Sequence, residues 1–331
     1  MNRNKTAVFF ALLAAALYAI NVPMSKILLS EVSPTMLAGF LYFGAGVGIG
    51  ILLLVKKKQG KLEQEQWLEK KDFPYTAAMV LLDIAAPIFL MFGIANTTSA
   101  NVSLLNNFEI VATSVIAFVI FKERISQRLS FGILLVVLSS VILGFEGEGT
   151  FSFNIGSVFV LAACICWGFE NNCTRSISEK SSEQIVLIKG IFSGLGSIAV
   201  ALVIGEAFPT LPYMLSVMLL GFVAYGLSIN FYIMAQKSLG AARTSAFYSI
   251  APFLGVGFSF LLLQERPAIQ FYIALMIMLI STGIMIKDTL GAEKLYSGYQ
   301  HSHAHRHGEL VHTHTHRHLL YNPMHIHNHS H

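Results

Sequence analysis

Charged side chains are scarce in this sequence: Asp, Glu, Lys and Arg make up only 12% of its 331 residues. A soluble domain averages about 25% charged residues, so a water-soluble globule of this composition would lack polar groups to cover its surface. Hydrophobic residues make up 54% of the chain. This balance predicts a protein whose main solvent is the lipid bilayer.

Cysteine and histidine are also restricted. The three cysteines, Cys164, Cys166 and Cys173, are too few and too close together for a disulfide framework. No histidine precedes residue 301, which argues against a His-ligated haem, a zinc protease or a Ser-His-Asp centre in the membrane. No nucleotide motif is present either. We therefore expect a protein that is not an enzyme, needs no cofactor and binds no nucleic acid.

Long apolar runs dominate the remaining sequence. A membrane-spanning helix needs about 20 mostly apolar residues, and ten windows meet that criterion. The sequence therefore predicts an all-α integral membrane protein with ten transmembrane helices. The windows are residues 6–29, 34–55, 74–95, 100–121, 128–145, 153–173, 183–204, 212–236, 243–263 and 268–287.

The distribution of basic residues predicts the orientation. With the N-terminus inside the cell, 19 of the 22 Lys and Arg residues fall on the inner side. Lys26 and Arg266 fall outside, and Lys189 lies within a window. Because cytoplasmic loops collect Lys and Arg, we expect a multi-pass protein of the plasma membrane with both termini in the cytoplasm.

The chain repeats itself at an offset of 142 residues. Glu123-Arg124 follows the fourth apolar window, and Glu265-Arg266 follows the ninth. At the same offset Ala100, Ser103 and Phe118 meet Ala242, Ser245 and Phe260. We divide the chain into a first five-helix repeat (1–148), a second five-helix repeat (149–290) and a flexible, disordered His-rich cytoplasmic tail (291–331).

An odd number of helices per repeat forces the second repeat to lie upside down relative to the first. Inverted repeats are typical of secondary transporters, whose substrate binds near the midplane between the repeats. The pattern therefore favours transport of a small molecule by alternating access.

Several paired motifs resemble the EamA family of the drug/metabolite transporter superfamily. They are the aromatic-small pairs Tyr18-Ala19 and Trp167-Gly168, the basic residues Lys26 and Arg175, and the two Glu-Arg pairs. The resemblance covers about residues 6 to 287. It implies a ten-helix carrier of metabolites with a central cavity lined by helices 1, 3, 4, 6, 8 and 9.

One departure from that family concerns proline. Pro252 lies where the family often has a helix-breaking proline in the second repeat, but the first repeat has Ile110 at its counterpart. A break in the helix near the site is therefore expected only in helix nine.

Ionisable residues within the membrane are costly, and they usually face a cavity or a partner. Asp83 and Glu109 each lie about ten residues into a helix, hence near the midplane at a rise of ~1.5 Å per residue. We predict that Glu109, together with Asp83, binds a coupling proton or cation. Alternatively, Asp83 pairs with Lys189 as a structural contact.

Polar neighbours complete a lopsided candidate site, with acids from one repeat and uncharged groups from the other. An intramembrane asparagine also commonly only bonds to a neighbouring helix, so that interpretation stays open for these amides. Glu170 and Asn171 are expected to reach water at the end of helix six, and the two Glu-Arg pairs are interpreted as helix caps or gate salt bridges. The candidate substrate or coupling residues are Asn21, Asp83, Asn106, Asn107, Glu109, Tyr225, Asn230 and Tyr248.

All 12 histidines lie in the tail, where they alternate with other residues. Neutral imidazole suits Zn, Ni, Co and Cu, and His-rich tracts are typical of metal binding. The tail is therefore predicted to bind a divalent transition metal. The candidate ligands are His301, His303, His305, His307, His312, His314, His316, His318, His325, His327, His329 and His331.

These observations predict a secondary transporter of a small organic metabolite or drug-like solute, with a metal-binding tail. The alternatives are a divalent transition-metal transporter and a metal-responsive membrane sensor. Close glycine spacing in helix two, from Gly44 to Gly50, and in helix seven, at Gly190 and Gly194, predicts tight helix packing.

Overall fold

A computed structural model describes residues 3–59, 67–120, 122, 125–144, 154–177, 180–239, 241–298, 300–307 and 310–317. Within these residues, ten helical segments are long and apolar enough to cross a membrane, which confirms the predicted count. We number them spans 1 to 10: Lys5–Leu28, Pro34–Lys58, Lys70–Asn96, Ser99–Val119, Gln127–Gly144, Ile155–Ser176, Glu183–Val203, Leu211–Gln236, Thr244–Leu263 and Ile269–Asp288.

Several spans consist of more than one helix. A 3₁₀ segment, Lys70–Asp72, begins span 3, and the π segments Lys189–Ser193 and Phe222–Leu227 join the α-helices of spans 7 and 8. The α-helices are Arg3–Ala19, Asn21–Leu28, Pro34–Lys58, Phe73–Asn96, Ser99–Leu105, Phe108–Val119, Gln127–Gly144, Ile155–Ser176, Ser182–Ile188, Gly194–Val203, Leu211–Gly221, Ser228–Leu239, Ala241–Tyr248, Ala251–Leu263 and Ile269–Gly298.

Every span turns large hydrophobic side chains outward. In a soluble protein such a surface would be unfavourable, but lipid covers it at no cost, so the bilayer is the partner of this face. Examples taken in order from spans 1 to 10 are Phe9, Leu54, Leu81, Phe118, Leu134, Ile165, Leu195, Leu219, Leu261 and Ile280.

The helix breaks near the site do not occur only where the sequence has a proline. Span 9 is interrupted between Tyr248 and Ala251, as expected, but span 4 is interrupted as well, between Leu105 and Phe108. The expectation of a break only in helix nine is therefore wrong. Asparagine replaces proline as the cause: Asn107 Nδ2 donates a hydrogen bond to the carbonyl of Leu104, 3.0 Å away, and such local bonds compete with the helical ladder.

The two repeats pack as an inverted pair. Span 1 packs on spans 8 and 9, and its counterpart, span 6, packs on spans 3 and 4. Span 2 contacts span 7, span 4 contacts span 9, and span 5 contacts span 10. Each contact is repeated when every span is exchanged for its counterpart in the other repeat, as a two-fold axis in the membrane plane requires. The repeat boundary predicted at residues 148–149 lies outside the described residues.

The region after the last span differs from the flexible tail that the sequence predicts. The last helix continues to Gly298, and two strands follow, β1 (Gln300–His307) and β2 (Leu310–Arg317), which pair antiparallel. Alternation of histidine with a second residue has the period of two that suits a strand. His318, His325, His327, His329 and His331 lie outside the described residues.

Candidate functional site

A cavity of about 420 Å³ lies among the spans of both repeats. Spans 2 and 7 contribute to its wall, and span 3 does not, which corrects the set of helices that the family resemblance implies. The lining residues, in chain order, are Tyr18, Tyr42, Ala45, Asn106, Asn107, Glu109, Ile110, Trp167, Glu170, Asn171, Val186, Lys189, Gly190, Tyr225, Ile229, Ser245, Tyr248, Ser249, Ala251 and Pro252.

The cavity reaches the membrane face on which the chain begins. Ser245 is the second residue of span 9 and Val186 is the fourth of span 7, and both of these spans start on that face. Towards the opposite face, the nearest lining residue is Asn106, the eighth residue of span 4. The structure is therefore open on the N-terminal side and closed on the far side.

Two carboxylates hold helix ends together on the closed side. Glu265 accepts hydrogen bonds from the backbone amides of Ser99 and Ala100, at 2.7 and 2.8 Å, and so joins the loop after span 9 to the start of span 4. Glu206 accepts hydrogen bonds from the amides of Thr35 and Met36 at the start of span 2. Both acids lie at helix N-termini, where unpaired amides and the helix dipole favour negative charge.

Lys26 provides a third contact on the closed side. Its Nζ donates hydrogen bonds to the carbonyls of Ile94 and Thr97, at 2.5 and 2.8 Å, at the end of span 3. Ser99 and Ser259 join spans 4 and 9 through their hydroxyl groups, 2.8 Å apart. Arg266 is exposed, and Glu123 and Arg124, the other predicted gate residues, lie outside the described residues.

An ion-pair triad links three spans beside the cavity. Lys189 Nζ lies 2.8 Å from Glu170 Oε1, to which it donates a hydrogen bond, and 3.2 Å from Asp83 Oδ2, at an angle that does not make a hydrogen bond. Asp83 is fully buried and Glu170 is 2% exposed. Tyr42 donates a further hydrogen bond to Asp83 Oδ1 over 3.3 Å. Asp83 is therefore held behind the cavity wall, where it supports the lining residues Lys189 and Tyr42.

Glu170 lines the cavity, although sequence reasoning did not include it in the candidate site. Its expected contact with water is wrong, because it is buried against Lys189 and also accepts a hydrogen bond from Thr174. The positions of the two residues along their spans could have revealed this pair. Glu170 lies six residues before the end of span 6, and Lys189 lies six residues after the start of span 7, and both of these ends are on the same membrane face. Opposite charges at equal depth in consecutive spans indicate a pair.

Glu109 lines the cavity without a cation beside it. Asn171 Nδ2 donates a hydrogen bond to Glu109 Oε1 over 2.8 Å, and no Lys or Arg among the described residues lies within ion-pair distance. Asn106 Oδ1, one helical turn earlier in the chain, is buried and has no hydrogen-bond partner. Glu109 therefore brings a carboxylate without a cation to the cavity wall, while the buried oxygen of Asn106 lies beneath it.

The structure does not bring together all the predicted site residues. Asn107 and Tyr248 line the cavity, and Tyr225 does so while accepting a hydrogen bond from Asn21 Nδ2 over 3.0 Å. Asn21 itself lies behind Tyr225, fully buried, and Asn230 is not part of the lining. Asn107 is occupied by its bond to the backbone of its own helix.

Aromatic side chains form much of the wall. The rings of Tyr18 and Tyr225 lie 5.8 Å apart between centroids, those of Tyr42 and Tyr225 lie 5.3 Å apart, and those of Tyr18 and Tyr248 lie 5.9 Å apart. Trp167 donates a hydrogen bond through Nε1 to the hydroxyl of Tyr42 over 3.3 Å. These contacts position the rings against one another along the wall.

Comparison with known proteins decides the family. The model of the EamA-like transporter family matches residues 5–145 and again residues 154–287, which together make up most of the chain. The chain belongs to the EamA-like transporter family. It is a multi-pass membrane transporter, as the sequence predicts.

Two relatives of this EamA-like transporter carry only general descriptions. An uncharacterized transporter of Methanothermobacter thermautotrophicus is 26% identical over 292 residues, which is 82% of this chain and 83% of the relative. The uncharacterized transporter YyaM of Bacillus subtilis is 20% identical over 250 residues, which is 72% of this chain and 79% of the relative. A protein with a crystal structure has the same fold, with a TM-score of 0.63 at 16% identity, over 87% of this chain and 97% of that one.

A second ion cluster lies at the start of span 3, on the open side of the EamA-like fold. Lys180 Nζ lies 2.8 Å from Glu69 Oε1 and 3.6 Å from Asp72 Oδ2. The hydrogen bond from Lys180 holds the pKa of Glu69 below its ordinary value, and the same bond raises the pKa of Lys180. The cluster joins the loop before span 3 and the first turn of that span to the loop before span 7.

Proposed function

We propose that this transporter carries a small organic solute across the plasma membrane by alternating access, coupled to a proton or cation at Glu109. The observation that carries the proposal is a cavity that opens on one membrane face only and has an unpaired carboxylate near its middle. A carrier must bind its solute at such a point and then expose it to the other side.

The inverted repeats supply the second state. Because each contact between spans has a counterpart related by the two-fold axis, exchanging the conformations of the two repeats closes the open face and opens the closed one. The contacts of Glu265, Glu206 and Lys26 with helix ends are the ones that must break in that exchange. We place both termini in the cytoplasm, because 19 of the 22 Lys and Arg residues then lie on that side.

Glu109→Gln is expected to remove the dependence of transport on a pH gradient. Glutamine keeps the size and the hydrogen bond from Asn171 but cannot bind or release a proton, so solute uptake should no longer change with external pH between about 5 and 8. A thermal-shift screen of amino acids, polyamines and nucleosides first identifies a bound solute. Counterflow of that labelled solute in liposomes then measures uptake with and without the gradient.

The matched control is Glu31→Gln, which removes an exposed carboxylate at the closed end of span 1. We expect the control to keep the pH response of the unmodified protein. If solute uptake by Glu109→Gln still depends on pH, coupling at this residue is contradicted. If no identified solute shows saturable counterflow, alternating access is contradicted.

We also propose that the tail binds a divalent transition metal. The strand register places His301, His303 and His305 directly opposite His316, His314 and His312. The register thus pairs six of the histidines two by two, and His-rich tracts are typical of metal binding. Zn, Ni, Co and Cu are the ions that such nitrogen ligands favour.

Deleting residues 301–331 is expected to abolish zinc binding by the purified protein while leaving counterflow of the organic solute unchanged. The reason is that the cavity lies wholly within the spans and the histidines lie wholly after them. Zinc content after dialysis and solute counterflow measure the two properties on the same preparations. If the shortened protein still binds zinc, the proposal is contradicted. If the deletion reduces zinc uptake into liposomes, and neither the full-length nor the shortened protein exchanges an organic solute, the alternative of a metal transporter is favoured.

A further inference from the structure

The charges around the cavity do not balance. Asp83, Glu109 and Glu170 bring three carboxylates to this region, and Lys189 is the one basic side chain among the described residues that line it. Lys189 lies against Asp83 and Glu170, so its charge is already shared between them. A solute that meets Glu109 therefore meets an acid without a counter-ion.

The carboxylate of Glu109 has an amide as its neighbour and not a cation. It accepts a hydrogen bond from the amide nitrogen of Asn171 over 2.8 Å, and the same nitrogen also lies 3.2 Å from the hydroxyl oxygen of Thr113. A carboxylate can accept several hydrogen bonds, so an N–H donor on the solute can bind to Glu109 from the cavity. A carboxylate or phosphate on the solute would instead place a second negative charge beside it.

The remaining wall suits a cation as well. Tyr18, Tyr225, Tyr248 and Trp167 line the same cavity, and aromatic faces attract ammonium groups within about 6 Å of the ring centroid. Tyr225 and Tyr42 have their hydroxyl groups engaged by Asn21 and Asp83. Because these two hydroxyl groups already have hydrogen-bond partners, the rings of Tyr225 and Tyr42 are held in position by them.

We infer that the solute is a small organic amine, whose protonated nitrogen binds to Glu109 while its apolar part lies against the tyrosines and Trp167. This inference rests on the proposed transport function and adds the chemical class of the solute. It covers monoamines, which present an ammonium group to this wall and carry no carboxylate.

The test uses three probes of matched size that differ in one end group: 2-phenylethylamine, 2-phenylethanol and 3-phenylpropionate. Binding to the full-length protein in detergent is measured by calorimetry at pH 7. We expect the amine to bind at least tenfold more tightly than the alcohol or the acid, and Glu109→Gln to reduce amine binding to the level of the alcohol. Glu109→Asp, which keeps the charge, is expected to restore part of the preference, and the melting temperature of each unliganded variant shows that it is folded.

Equal binding of the three probes, tighter binding of 3-phenylpropionate, or an amine preference that Glu109→Gln leaves unchanged would overturn the inference. Counterflow separates it from the transport proposal. Saturable exchange of the alcohol or the acid without preference for the amine overturns the solute class and leaves alternating access standing. Tight amine binding that never leads to exchange in liposomes supports the amine site and contradicts transport.

Discussion

Replacing Lys189 with methionine is expected to abolish transport and to destabilise the protein strongly. The substitution keeps an unbranched side chain but leaves Asp83 and Glu170, both almost fully buried, without the cation that faces them. Removing one member of a buried ion pair typically costs about 3–5 kcal/mol, because the remaining charge is left uncompensated. Thermal unfolding in detergent and solute counterflow in liposomes measure the two effects.

Two further variants give this prediction its control. Lys56→Met removes a lysine of the same type whose partner, Glu183, is partly exposed, so its loss should cost about 1 kcal/mol or less. The triple variant Lys189→Met, Asp83→Asn, Glu170→Gln removes every charge of the triad and should recover most of the stability lost in the single variant, without recovering transport. If Lys189→Met unfolds at the same temperature as Lys56→Met, the triad is not the buried network described above.

Hydropathy predicts the spans because the bilayer imposes one requirement on all of them. Each crossing needs about 20 apolar residues whatever its neighbours are, so local sequence is enough to find it. The window at 212–236 ends in polar residues, yet the structure has a span there, Leu211–Gln236. The inverted repeat follows from counting five crossings per copy, and the exchanged packing of spans 1 and 6 agrees with it.

The helix breaks and the cavity wall depend on contacts that local sequence does not display. The break in span 4 comes from Asn107 binding its own backbone, whereas the family pattern points to proline. Spans 2 and 7 line the cavity because they cross closely: a Cβ on Gly46 would lie 2.6 Å from the backbone nitrogen of Ile191. The glycine spacing predicts such a crossing but not the face of the helix that meets the cavity.

For the intramembrane acids, too, the sequence predicts position but not contacts. Their depth in the membrane is readable from the sequence, and it correctly places Asp83, Glu109 and Lys189 within spans. Their roles are set by partners: Asp83 faces Lys189 behind the wall, while Glu109 faces the cavity with only an amide beside it. The packing of spans 3, 6 and 7 decides which acid has a basic partner. The sequence of any one of these spans does not determine that packing.

Gly44→Ala is expected to lower the melting temperature and to reduce solute counterflow to background. A Cβ at this position would lie 2.2 Å from the carbonyl oxygen of Met218 and 2.4 Å from its Cα. Both are backbone atoms that cannot rotate away, so spans 2 and 8 must separate. Overpacking of this kind costs about 1–3 kcal/mol. Because span 2 belongs to one repeat and span 8 to the other, the added methyl group also separates the two repeats at the surface that the proposed alternating access would use.

The opposite side of the same crossing provides a second variant, and span 9 provides the control. A Cβ on Gly221 would lie 1.9 Å from the carbonyl oxygen of Leu41, so Gly221→Ala should act like Gly44→Ala. Because both changes strain one crossing, the double variant should lose less stability than the sum of the two single losses. Gly257→Ala places a methyl group in a transmembrane helix where, apart from the backbone of its own helix, none of the described residues has an atom within 4 Å. It should be neutral or slightly stabilising, since alanine favours helix over glycine by about 1 kcal/mol. Equal melting temperatures and equal counterflow for Gly44→Ala and Gly257→Ala would show that spans 2 and 8 do not cross at backbone contact.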